Sequence, residues 1–118
     1  MSSVDPQLEI LHIASPSEWE AATTTGEIAP PSLATEGFVH CSTRGQLGGT
    51  LARHFVGAGP LVLLTVDPAA ISADLRWEHG LPGEPPFPHV YAPIPLTAVT
   101  AVEQIEFLGV ASTDAGDI

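Results

Sequence analysis

Gly37-Phe38-Val39-His40-Cys41-Ser42-Thr43-Arg44-Gly45-Gln46 (residues 37–46) reads as a strand running directly into a capped helix. Side chains alternate across a strand, so Phe38, His40 and Ser42 share one face and Val39 and Cys41 share the other. Thr43 and Gln46 then match a T-x-x-Q capping box. Leu47, Leu51 and Phe55 recur every four residues and give the helix one apolar stripe. Gly57 and Gly59 end it.

Working towards the N-terminus, Leu8 to Ile13 reads as a first strand. Ser15-Pro16-Ser17-Glu18 follows as an S-x-x-E cap with proline at the first helical position. It predicts a helix through about Ala22, with Trp19 and Ala22 facing inward. Gly26 closes that region, and Ile28 to Leu33, containing Pro30-Pro31, is expected to be an extended loop. Towards the C-terminus, Leu61-Val62-Leu63-Leu64-Thr65-Val66 is the most apolar run and reads as a central strand. Asp67-Pro68 can cap one helical turn. Leu75 to Glu78 reads as a short strand, Leu81 to Pro86 as a loop, and Phe87 to Tyr91 as a strand whose Pro88 suggests an edge or irregular position. Val99 to Phe107 is the last strand. Two short early helices followed by short strands predict an α+β fold with a small split or strongly bent sheet. One domain over residues 8–108 is expected, between flexible tails at 1–7 and 109–118.

Length and composition fit one packed core: 118 residues, 44% hydrophobic and 14% charged. No apolar run approaches the ~20 residues of a membrane helix. Residues 1–5 lack the basic and apolar regions of a signal peptide, so a cytoplasmic location with no membrane partner is expected. Cys41 is the single cysteine, which excludes an internal disulfide. It reads as a small buried hydrophobe rather than a nucleophile, having no basic neighbour in sequence. The net charge of −11, with no lysine and only Arg44, Arg53 and Arg76, argues against a nucleic-acid partner. A small nucleotide-like or anionic ligand remains compatible, since a local site can be positive on an acidic protein. Oligomeric state stays open.

Chemistry-bearing residues concentrate at strand ends. His40 lies just before the helix whose N-terminus, at Ser42, Thr43 and Arg44, offers free N–H groups and a positive dipole end. An anion site and a purely structural cap both fit that placement. His12, among Leu8, Ile10 and Ile13, fits either a site residue or a hydrogen-bonded core histidine. Glu18 is accounted for by its capping box, and Glu36 has no evident partner. Glu78 follows Trp77 and shares a strand face with Arg76, which fits a functional carboxylate or a surface ion pair. Phe87, His89 and Tyr91 share a face that could stack on a flat ring or form a core edge. No H-x-x-x-H or H-x-H is present and no metal is expected. G-x-S-x-G, G-K-[ST] and G-x-G-x-x-G are also absent.

Several of these residues together spell a known pattern. His12-Ile13-Ala14 with Glu18-Trp19, Ser32-Leu33, Glu36-Gly37-Phe38-Val39-His40-Cys41-Ser42-Thr43, Leu61 to Leu64 with Asp67, Arg76-Trp77-Glu78, and Phe87-Pro88-His89-Val90-Tyr91 with Pro93 and Pro95-Leu96 resemble the family named domain of unknown function 952. The resemblance runs over about residues 8–108. That family is grouped with the ADP-ribosyltransferase fold, which implies a split sheet, an NAD cleft and a transferase of glycosyl or ADP-ribosyl type. It implies that His12 orients a ribose. His40, with Ser42, Thr43 and Arg44, would hold the phosphate or reacting group. Glu78 would hold the ribose hydroxyl, and Ser32, Trp77, His89 and Tyr91 would complete the binding surface. The His40 segment also looks like the I-H-x-[AS] stretch of RNA 2′-phosphotransferases on this fold, whose basic residues are mostly missing here. Two further readings stand beside the NAD enzyme. One is a non-catalytic nucleotide- or anion-binding domain. The other is a small-molecule metabolic enzyme using a histidine pair for acid–base chemistry without NAD.

Overall fold

The computed structural model describes residues 9–80 and 82–107; both expected tails lie outside the described residues. The protein is α+β, and every strand pairing among the described residues is antiparallel. Strand β1 (Ile10–Ala14) leads into helix α1 (Pro16–Thr25), then β2 (Glu27–Ile28), α2 (Pro31–Thr35), β3 (Val39–His40) and α3 (Arg44–His54). Strand β4 (Gly59–Val66), a 3-10 turn (Pro68–Ile71), β5 (Leu75–Glu78), β6 (Phe87–Val90), β7 (Ile94–Pro95) and β8 (Val99–Phe107) complete the order.

The strands form two three-stranded sheets, β1-β4-β8 and β3-β6-β5, and a small ribbon β2-β7. Leu11 and Ser42 join the two larger sheets by a pair of backbone hydrogen bonds, each 2.8 Å. The two sheets thus remain separate ladders linked by this bridge, between β1 and the residue that follows Cys41 after β3.

Strand β4 is central, between β1 and β8, and is covered on both faces. Leu61 and Leu63 join Leu11, Ile13 and Leu51 in one cluster, against which Leu47 of α3 and Phe55 at its C-terminal cap pack. Val62, Leu64 and Val66 join Ile10, Ala14, Ala22, Val39, Cys41 and Val90 in the larger one. That double burial explains the unbroken apolar run of β4 with antiparallel neighbours on both sides.

Three local expectations change. Residues 28–33 are not a single extended loop: Pro30 is extended (φ −69°, ψ 166°) and Pro31 opens α2. A proline at the first helical position gives up no intrahelical bond, so the pair sets a boundary and starts a helix. The helices described are therefore three. Strand β6 is not at an edge but lies between β3 and β5. Pro88 is tolerated because its C=O, and hence the side lacking an N–H, faces the end of β3, where the carbonyl accepts from Cys41 N at 3.1 Å. The Ser15 cap is one-sided: Ser15 Oγ accepts from Glu18 N, while the Glu18 side chain is used elsewhere. The Thr43–Gln46 box is complete in both directions.

Leu64 is fully buried, whereas its cross-strand partner Val102 is 49% exposed. Leu64→Ala should cost about 2–5 kcal/mol of stability. Val102→Ala should cost no more than about 0.5 kcal/mol. Urea unfolding of the two variants checks the burial pattern, and equal losses would contradict it.

Candidate functional site

Strict alternation divides the β3-β6-β5 sheet into two chemically different faces. Val39, Cys41, Pro88 and Val90 point into the core and are buried. Phe38, His40, Arg76, Glu78, Phe87, His89 and Tyr91 fall on the opposite, open face. The register places His40 opposite His89 and His89 opposite Arg76.

These side chains form one contact network. His89 Nδ1 donates to Glu78 Oε1 at 2.7 Å, and Tyr91 OH donates to the same oxygen at 2.6 Å. Phe38 stacks on His89 with ring centroids 4.1 Å apart, and the His40 ring meets both edge-on. His40 Nε2 bonds Glu36 Oε1 at 3.0 Å. The Arg76 guanidinium lies 5.5 Å from the Tyr91 ring centroid. Gly37, at φ 92°, lets the chain turn from α2 into β3, so that Glu36 and Phe38 flank the His40 ring.

Hydrogen bonds from Tyr91, then from His89, hold the Glu78 carboxyl below the usual glutamate range; the nearby Arg76 charge adds to this. The Tyr91 hydroxyl is pushed up in return, because ionising it would break its bond to the carboxylate. Glu78 is thus a carboxylate with one oxygen pinned, on a side chain 40% exposed. A neutral His89 that donates from Nδ1 carries its lone pair on Nε2, the form of a carboxylate-oriented histidine.

His12 is in a different setting. It is 5% exposed and points into the larger core. Its Nδ1 donates to the His40 carbonyl at 2.8 Å, and its Nε2 bonds Glu18 Oε2 at 2.6 Å. A ring that donates from both nitrogens is the protonated imidazolium. Burial opposes that charge most strongly; the side chains of Cys41 and Glu18 outweigh it, and the pKa is pushed up to about 10. His12 therefore stands behind His40, not on the open face with it.

The remaining expected site residues separate. His89 and Tyr91 join His40 and Glu78. Ser42 is buried and bonds Thr50 Oγ1 at 2.9 Å, and Thr43 is committed to capping α3. Arg44 is exposed and paired with Glu9 at 3.3 Å. The expected cluster at the α3 N-terminus is thus taken up by packing and capping, leaving Arg44 in a surface pair. Ser32 donates to the Phe38 carbonyl at 2.8 Å and so holds the loop before β3. Trp77, 43% exposed, lies on the face of β5 opposite Glu78. Phe38 and Arg76 were not expected in the binding surface, although strand alternation places each beside an expected residue. A concavity of about 740 Å³ between α1 and β4–β8, lined by Trp19, Glu20, Thr23, Leu61, Gln104 and Glu106 among others, holds none of the histidines. Among the described residues no group of three or more His, Cys, Asp or Glu could hold a metal, and no helix is long and apolar enough to cross a membrane.

The chain belongs to the family described as Protein of unknown function (DUF952), which matches residues 13–102. It is similar to protein CC0527 from Caulobacter crescentus. The crystal structure of that protein is 34% identical, covers 83% of this chain and 84% of that chain, and has a TM-score of 0.74. Its solution NMR structure is 35% identical, covers 81% and 83% of the two chains, and has a TM-score of 0.70. No curated protein matches the chain.

The raised His12 pKa has a definite sign. Its contribution to stability is complete below the ordinary value of 6.5 and is lost as pH rises towards about 10. Within that window unfolding free energy should fall by about 1.4 kcal/mol per pH unit from this group. Glu18→Gln should lower stability by about 3 kcal/mol at neutral pH, since it leaves a buried charge without its partner, and should flatten the alkaline slope. Urea titrations at several pH values measure both, and an unchanged slope in the variant would remove the imidazolium from the account.

Proposed function

We propose that the open face of β3-β6-β5 is the active site of an ADP-ribosyltransferase-like enzyme that uses NAD or a related nucleotide as substrate. The observation that carries this reading is the Glu78 carboxylate, ionised and fixed through one oxygen by His89 and Tyr91. A fixed negative charge on an exposed face is suited to holding a ribose hydroxyl and to stabilising the positive charge that builds on the sugar as its glycosidic bond breaks. The rings of Phe38, His40 and Tyr91 offer a flat ligand a surface beside that charge. The separate antiparallel sheets are compatible with the split sheet that the family resemblance implies.

The residue roles shift from those that the family resemblance implies. Glu78 keeps the ribose hydroxyl and the developing charge. His40 and His89 face the reacting group. His12 acts as a positioning residue: its imidazolium grips the His40 carbonyl and so sets where β3 presents Phe38 and His40.

A second reading rests on a separate observation. Glu78–His89 and Glu36–His40 are two carboxylate–histidine pairs whose rings lie 5.5 Å apart. Such a pair could supply a general base and a general acid near neutral pH without any NAD. That chemistry would give a bell-shaped pH–rate profile abolished by either His40→Ala or His89→Ala.

Nicotinamide release from NAD, followed by chromatography, tests the leading reading. Glu78→Gln should reduce turnover on the order of 10²–10³-fold with the fold intact. The acid limb of the wild-type rate should lie below the ordinary glutamate pKa, because activity requires the ionised carboxylate. Tyr91→Phe removes the Tyr91 hydroxyl's hydrogen bond to Glu78 and should move that limb to higher pH. Full turnover in Glu78→Gln would dismiss the assignment.

A further inference from the structure

The chain has three arginines, no lysine and fourteen acidic residues. Two of the arginines are already engaged: Arg44 with Glu9 and Arg53 with Glu84, both at 3.3 Å. Among the described residues Arg76 makes no ion pair. It sits on the open face, over the Tyr91 ring and directly opposite His89 in the register. A guanidinium within ~6 Å of a ring centroid is held by the ring's negative face, and a guanidinium carries five N–H donors, enough to spare two for a two-point bond to an oxyanion.

We propose that Arg76 is the anion-binding group of this face and that the ligand carries a phosphate or diphosphate attached to its sugar. This rests on the reading of the open face as the ligand site and names the chemistry that face recognises. Arg76 and Glu78 are two residues apart on one strand, so they are spaced by roughly 7 Å along it. Their opposite charges divide the ligand. A phosphate goes to Arg76, and a hydroxyl-bearing sugar, which can donate a hydrogen bond, goes to Glu78. The flat base or leaving group lies towards Phe38 and His40. A free phosphate without a sugar gains only the first of these contacts, and a neutral nucleoside gains only the others. A net charge of −11 repels anions from the rest of the surface, so the one arginine without an ion pair among the described residues is where an anionic ligand is retained.

Matched probes isolate the phosphate. Isothermal titration of AMP and adenosine, with inorganic phosphate as a third probe, is performed on the wild type, Arg76→Gln, Arg76→Lys and Glu78→Gln. Circular dichroism checks that each variant is folded; Arg76 is exposed and its replacement removes no core contact. AMP should bind the wild type at least tenfold tighter than adenosine. Arg76→Gln should erase that advantage and leave adenosine unchanged, and Arg76→Lys should restore only part of it. Glu78→Gln should weaken AMP and adenosine alike and keep their ratio. The inference is overturned if adenosine equals AMP on the wild type, if the advantage survives in Arg76→Gln, or if neither nucleotide binds at millimolar concentration. An Arg76-dependent AMP advantage without NAD cleavage would uphold this inference and defeat the transferase reading. Glu78-dependent NAD cleavage with an unchanged KM in Arg76→Gln would do the reverse.

Discussion

The structure is organised around one buried charge, the His12 imidazolium between the Glu18 carboxylate and the His40 carbonyl. It joins three elements: α1 through Glu18, β1 through His12 itself and β3 through the carbonyl. A buried cation requires both its counter-charge and its remaining hydrogen bond, so small displacements of α1 or β3 carry a large cost. The adjacent Leu11–Ser42 backbone pair completes the seam. The seam joins the two larger sheets, and β3 contributes only Val39 and His40 to its own ladder. The position of the His40 ring is therefore set as much from behind, by His12, as from within its sheet.

From that seam the β3-β6-β5 sheet presents two surfaces of opposite chemistry. One continues the core through Val39, Cys41, Pro88 and Val90. The other collects two histidines, two carboxylates, an arginine and the rings of Phe38, Phe87 and Tyr91, with hydrogen bonds converging on one oxygen of Glu78. Half-exposed charged groups arranged this tightly contribute little to stability. Under the proposed function, their organisation holds a carboxylate ready for a ligand. The burial of His12 and the exposure of Glu78 divide the ionisable groups accordingly: the first supports the fold, and the second faces outward.

Much of this was legible in the chain, for reasons tied to particular residues. Alternation alone put Phe38 with His40 and away from Cys41, and Arg76 with Glu78. Leu47, Leu51 and Phe55 showed the buried stripe of α3, and Thr43 with Gln46 marked its start. What was not legible depends on contacts distant along the chain or on competing uses of one residue. Glu18 has the spacing of a capping-box glutamate, and that local pattern concealed its bond to His12 across the Ser15-Pro16 reversal. Pro30-Pro31 reads as extended chain, although a second proline is also a good helix start. Pro88 suggests an edge strand unless it is known that β3 stops short and leaves its missing N–H without an unmet partner. Ser42 and Arg44 looked available for an anion because Thr50 and Glu9, which engage them, are not neighbours in the sequence.

The central claim is that the open face of β3-β6-β5, and not the concavity between α1 and β8, receives the ligand. Backbone and histidine-ring NMR shifts followed during titration with ADP-ribose test it most directly. The account predicts saturable changes concentrated at Phe38, His40, Arg76, Glu78, His89 and Tyr91, with the His12 ring still reporting a doubly protonated imidazolium. Changes centred instead on Trp19, Thr23 and Gln104, or none at saturating ligand, would contradict it.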